Sequence, residues 1–126
     1  MKYSIDTSAA PEAIGPYSQG TTAGRFVFTS GQLPIDPHDS HRLITGDIQK
    51  QTERVIEIIA DLLADANCPL SYVTQTTIYL TSLNDLSALD EVYERYFTAP
   101  APSRSVVGVS FLPMGSLIEM SCIACR

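Results

Sequence analysis

The chain has 126 residues, 44% hydrophobic and 17% charged, with a formal net charge of −6 and a sequence pI near 4.6. That length fits one domain, residues 1–126, able to bury a core without disulfides or metals, and the composition is globular rather than disordered. The acidic balance, with no run of Lys or Arg, argues against a nucleic-acid partner.

The first residues, Met1 to Asp6, lack the apolar centre of a signal peptide, and no apolar run approaches the length of a membrane span. A cytoplasmic protein with no membrane partner is expected. Residues 3–16 read as a polar lead-in ending in a turn at Gly15-Pro16. A short strand is predicted around 18–22, a tight turn at Ala23-Gly24-Arg25, and a firmer strand over Phe26–Ser30. Gly31 follows, where backbone can approach another group closely. Residues 32–35 continue extended. Asp36 to Gly46 carries turn formers and reads as loop. Its two histidines, His38 and His41, have no further ligands to make a metal site.

From Asp47 to Ala66 the residues Ile48, Thr52, Val55, Ile56, Ile59 and Leu63 recur at helical spacing, and Asn67 with Pro69 supplies the stop. The β-branched run Val73–Leu80 predicts a strand. Ser82-Leu83-Asn84-Asp85 matches a capping box opening a second helix, with Leu86, Leu89, Tyr93 and Tyr96 as its buried stripe. Two prolines in Thr98–Pro102 then stop the helix.

Two β-rich runs close the chain, Pro102–Val109 and Leu117–Met120, around a segment with Pro113 and Gly115. They read as a hairpin-like pair. Each carries one charge among apolar neighbours, Arg104 and Glu119. An unpaired charge there is costly, so the two either pair with each other or serve a ligand. Strand parity puts Arg104 and Val106 on one face, and Glu119 with Leu117 and Ser121 on the more polar face of the last strand. Cys122-Ile123-Ala124-Cys125 is a CxxC, but in a strand that spacing points the two thiols to opposite faces, which suits core cysteines better than a redox pair. The element order is strands, helix, strand, helix, two strands. It implies an α+β fold with helices packed on a mixed sheet.

Several short motifs together resemble one family. Gly15-Pro16-Tyr17-Ser18-Gln19-Gly20, Thr29-Ser30-Gly31-Gln32, Ser103-Arg104-Ser105, Leu112-Pro113 and Ile118-Glu119 are similar, in order and spacing, to the reactive intermediate deaminase (Rid, or YjgF) family, which older naming calls endoribonuclease or translation inhibitor. The resemblance implies a chorismate-mutase-like fold, with strand order βββαβαββ along the chain and two helices on one face of the sheet. It implies a homotrimer with sites between subunits. The implied reaction is hydrolysis of 2-aminoacrylate, 2-iminopropanoate and 2-iminobutanoate to 2-keto acids and ammonia, with no cofactor and no metal.

By the same resemblance, Arg104 binds the substrate carboxylate, which suits a guanidinium fork. Glu119 handles the water, and Tyr17, Ser30 and Gly31 complete the site. Three positions depart from the family pattern. Val106 stands where a Cys is common, which removes thiol chemistry there. Asp90 stands where Asn is common and would add negative charge if it reached the pocket. The 98–103 linker is short. These departures leave open a Rid relative acting on a different imine or enamine, and a non-catalytic trimer that binds small carboxylates or a partner.

Overall fold

The computed structural model describes residues 1–126. Its core is organised by one long helix, α1 (Ile48–Asp65). Asp47 caps it, its carboxylate accepting the Lys50 backbone N–H at 3.0 Å and so satisfying one of the free amides of the first turn. Asn67 ends it at φ 55°, in the left-handed region that asparagine tolerates. Every stripe residue anticipated from the periodicity is buried, with Ile58 and Leu62 added. The second helix, α2 (Leu86–Tyr96), follows a 3₁₀ turn at Leu83–Asp85. Ser82 makes no side-chain cap bond, so the expected capping box is not formed; the chain enters the helix through the 3₁₀ turn instead. Tyr96 is 37% exposed rather than core. Val92 and Phe97 are buried in its stead, and Phe97 packs on Tyr93 with ring centroids 4.5 Å apart.

Six strands form the main sheet: β1 (Lys2–Ile5), β2 (Gly20–Ala23), β3 (Phe26–Thr29), β6 (Val73–Leu80), β7 (Ser103–Gly108) and β8 (Ile118–Cys125). Their spatial order is β1-β2-β3-β8-β6-β7. Only β6 and β7 run parallel, as two strands joined through a crossover helix must; that helix is α2. The main sheet therefore follows βββαβαββ along the chain. Three details differ from expectation. The first strand is Lys2–Ile5, a short edge strand with little alternation to announce it. In the stretch 32–35, Gln32 makes an isolated bridge to Met120 and only Ile35 belongs to a strand. The presumed loop holds a small ribbon, β4 (Ile35–Asp36) with β5 (Asp39–Leu43). Its turns are set by carboxylates: Asp36 accepts the His38 N–H and Asp39 the His41 N–H, each two residues on.

The larger correction concerns β7 and β8. They are not a hairpin: β6 lies between them, parallel to β7 and antiparallel to β8. Sequence proximity suggested pairing, but the β6–α2–β7 crossover already fixes β7 against one edge of β6 and leaves the other edge to β8.

The helices cover one face of this sheet. Ile78, Leu80, Ile118 and Met120 are fully buried there with α1. The other face is open, with Phe26 50%, Phe28 37% and Val107 42% exposed. The alternation in β8 is complete, Ile118, Met120, Cys122 and Ala124 being buried and the residues between them half-buried. It places Cys122 and Cys125 on opposite faces, as the parity of the CxxC requires.

Replacing Ile59, which has no exposed surface, with Ala is expected to cost about 2–5 kcal/mol from lost burial and a residual cavity. The exposed Asp61 on the same helix should tolerate Ala within about 0.5 kcal/mol. Urea unfolding at a fixed protein concentration checks both, and equal costs would contradict the assigned helix orientation.

Candidate functional site

Arg104 sits in β7 directly opposite Thr76 of β6. Thr76 is buried under α2, its hydroxyl 2.7 Å from the Tyr93 hydroxyl. Arg104 shares that face, and its guanidinium lies 4.8 Å from the centre of the Tyr93 ring, close enough for a cation–π contact. Its fork is also engaged: Nη1 donates to Asp90 Oδ1 at 2.5 Å and Nη2 to Asp90 Oδ2 at 3.5 Å. The partner of Arg104 within the chain is thus Asp90, not Glu119. Burial pushes the Tyr93 hydroxyl pKa up, partly offset by its bond to Thr76. With Pro102 and Glu94, these residues line an open cleft of about 350 Å³. Val106, two residues on, shares the face but packs against the core cluster.

Glu119 sits in β8 opposite Tyr79 of β6. Thr76 and Tyr79 are three residues apart, so Arg104 and Glu119 project from opposite faces of the sheet. Their backbones are about 14 Å apart by strand geometry, two strand spacings across and three residues along. Burial raises the Glu119 carboxyl pKa above the ordinary carboxylate value, and no cation of the same chain opposes it.

Around Glu119 lies the second and larger cleft, about 590 Å³, with Tyr17, Gly31, Gln32, His41 and Met114 in its wall. Gly31 meets the Glu119 carboxylate so closely that a Cβ there would collide with it. A side chain there would push the Glu119 carboxylate out of its place, which gives a physical reason for the glycine singled out in the sequence. Tyr17 is 54% exposed at the mouth. Ser30 is not part of the wall; its hydroxyl donates to the Ser18 carbonyl at 2.6 Å and so anchors the Tyr17 loop to the end of β3. The structure thus brings together Tyr17, Gly31 and Glu119 in one cleft and Arg104 and Asp90 in another.

Two buried glutamines hold the loops that shape the Glu119 cleft. The Gln19 side chain accepts the Thr7 N–H at 2.8 Å and donates to the carbonyls of Thr7, Ala10 and Pro11. Gln51 of α1 accepts the Leu117 N–H at 2.9 Å and thereby fixes the entry to β8. Buried amides satisfied in this way are costly to disturb. Gln51, Met114 and His41 were not anticipated. Met114 stands at φ 61° within a 3₁₀ turn, a backbone conformation uncommon for a non-glycine residue. His41 reaches the cleft only because β4 and β5 fold back as a ribbon. No group of His, Cys, Asp and Glu is arranged to hold a metal ion.

The model of the family described as endoribonuclease L-PSP matches residues 7–126. The chain belongs to this family, the Rid family. Among Rid relatives, a RutC family protein of Pyrococcus abyssi is 48% identical over 120 residues, covering 95% of this chain and 94% of that protein. The human protein named 2-iminobutanoate/2-iminopropanoate deaminase is 36% identical, with 95% and 87% covered. A crystal structure of a Thermotoga maritima protein, also described as an endoribonuclease, superposes with a TM-score of 0.95 at 41% identity, covering 100% of this chain and 98% of that one. The α+β architecture is the Rid fold. No helix is long and apolar enough to cross a membrane.

The environment of Glu119 has a measurable consequence. Its folded pKa is raised, so wild-type stability is full below the ordinary carboxylate range and falls as pH rises through the folded pKa. Glu119→Gln should therefore melt higher than wild type near pH 8, and the gain should shrink to nothing as the pH falls below the ordinary Glu pKa. Thermal melts across that range test it; a gain that does not vary with pH would rule out burial of the charge as its cause.

Proposed function

We propose that the protein hydrolyses reactive imine and enamine acids, such as 2-iminopropanoate, 2-iminobutanoate and 2-aminoacrylate, to 2-keto acids and ammonia, in sites completed between copies of the chain. Membership of the Rid family and the deaminase name of the human relative support the reaction class. The observation that carries the reading is the presence of an edge-strand guanidinium and a half-buried carboxyl on opposite faces of one sheet. A three- or four-carbon substrate cannot touch both in one chain, because they are about 14 Å apart at the backbone. A second copy that brings its Arg104 against the Glu119 cleft of the first joins them. The open sheet face, with Phe26, Phe28 and Val107 partly exposed, suits burial by neighbouring copies in a homotrimer.

The chemistry follows from the two groups. The substrate carboxylate binds the Arg104 fork. Water adds to the imine carbon, one proton passing to Glu119 or through it to nitrogen, and a carbinolamine forms. Nitrogen then leaves as ammonia while the carbon–oxygen bond becomes a carbonyl. The raised pKa of Glu119 suits a group that takes a proton and returns it. Gly31 keeps backbone beside the carboxylate, and Tyr17 at the mouth can hydrogen-bond substrate or water. The whole sequence requires only water.

A coupled assay tests the reading. A pyridoxal-phosphate dehydratase generates the imine from threonine, and its loss is followed with and without the protein. Acceleration is expected, with Arg104→Ala and Glu119→Gln each lowering the rate by about 10²-fold or more. Binding of 2-oxobutanoate without any acceleration would favour a carboxylate-binding protein instead, and unchanged turnover in Arg104→Ala would remove Arg104 from the mechanism.

A further inference from the structure

The guanidinium assigned to carboxylate binding already holds a carboxylate. Asp90 takes both terminal nitrogens of Arg104, and the pair is only partly covered, the two side chains being 27% and 43% exposed. Arg104 is pinned from beneath by the Tyr93 ring, and Tyr93 is itself held by Thr76. The cation is therefore held from beneath by a ring, while the acid, the more exposed of the pair, is held by the ion pair alone. Glu94 lies one helical turn further along α2 and lines the same cleft, in which Arg104 is the sole cation. The cleft thus holds two carboxylates and one guanidinium.

We infer that Asp90 is a specificity-determining residue of this cleft, and that it selects ligands carrying a cationic nitrogen next to their carboxylate over plain carboxylates. The inference deepens the proposed function and rests on Arg104 being the carboxylate-binding group. A plain monocarboxylate has two ways to bind. It displaces Asp90 and leaves that charge without its partner, or it shares the guanidinium and sits beside a like charge; either weakens it. An α-amino acid or a protonated α-imino acid carries its own remedy. Its carboxylate takes the Arg104 N–H groups that Asp90 vacates, while its nitrogen, one carbon away, donates to Asp90. Every charge is then partnered. The protonated imine is also the form that water attacks most readily, so an acid beside the nitrogen favours the reactive species. Asparagine at this position would be neutral and able to donate to a carboxylate, which removes the selection.

Calorimetric titration with 2-aminobutanoate and 2-oxobutanoate, which share a carbon skeleton, tests this on the intact protein. The wild type should favour 2-aminobutanoate. In Asp90→Asn the affinity ratio should move towards 2-oxobutanoate by about tenfold, with melting curves confirming that the variant is folded. Wild type silent towards both ligands, with 2-oxobutanoate binding gained in Asp90→Asn, also supports the inference. An unchanged ratio, or silence in both proteins, overturns it. Arg104→Ala separates the two levels. If it abolishes binding of both ligands while Asp90→Asn leaves the ratio unchanged, the Asp90 inference alone fails. If it leaves both affinities intact, the role of Arg104 in the proposed function fails with it.

Discussion

The position of β6 between β7 and β8 is the constraint on which the arrangement depends. Thr76, Ile78 and Leu80 point under the helices and are fully buried, which fixes the register of β6 against both neighbours, since a slip of one residue would turn its apolar set outward. Through that register Arg104 inherits the face of Thr76 and Glu119 the face of Tyr79. The separation of the two charged groups is thus a consequence of core packing, not of any interaction between them. The parallel β6–β7 pair depends in turn on α2 crossing over the sheet, and α2 also supplies Asp90 and Tyr93. One supersecondary unit therefore builds the whole Arg104 cleft.

The two clefts differ in the physics that holds them. At Arg104 the charge is near solvent and its geometry is set by a ring below and a carboxylate beside it. At Glu119 the charge is partly withdrawn from water, and burial acts on its ionisation with no cation of the same chain to counter it. Gly31 lets the backbone close over the carboxylate, and Gln19 and Gln51 secure the loops on either side through buried amide bonds. Such a division suits a reaction in which one group must stay charged to hold an anion while another takes up and returns a proton.

Local pattern carried the elements, and long-range pairing was where it ran out. The stripe of α1 and the strict alternation of β8 are strong periodic signals, and both the helix and the facing of Glu119 follow from them. Gly31 and Arg104 were legible as a close-approach glycine and a charge among apolar neighbours. What the sequence could not reveal was which strand lies between β7 and β8, because parallel pairing is decided by the crossover helix and not by the residues of the strands. The same gap hid the partner of Arg104. Glu119 is near it in sequence, whereas Asp90 is brought to it by α2. Ser30 was placed in the site on its motif, but its hydroxyl is committed to Ser18, a bond to backbone that no residue pattern announces. Lys2–Ile5 and the β4–β5 ribbon went unseen because short polar strands have too little alternation to register.

The substitutions that set this chain apart from the family pattern fall on the Arg104 side of the sheet. Val106 is turned towards the core and cannot act as a nucleophile, so its effect is confined to packing beneath the cleft. Asp90 is different, because it changes the charge presented to any ligand without moving a single backbone element. A guanidinium with its fork open is a general receptor for carboxylates. The same guanidinium already paired, with Glu94 in the same cleft, is a poor one unless the ligand brings a cation of its own. The Rid fold is thus compatible with a different choice of substrate. That choice would be made by one side chain of α2, through its charge alone.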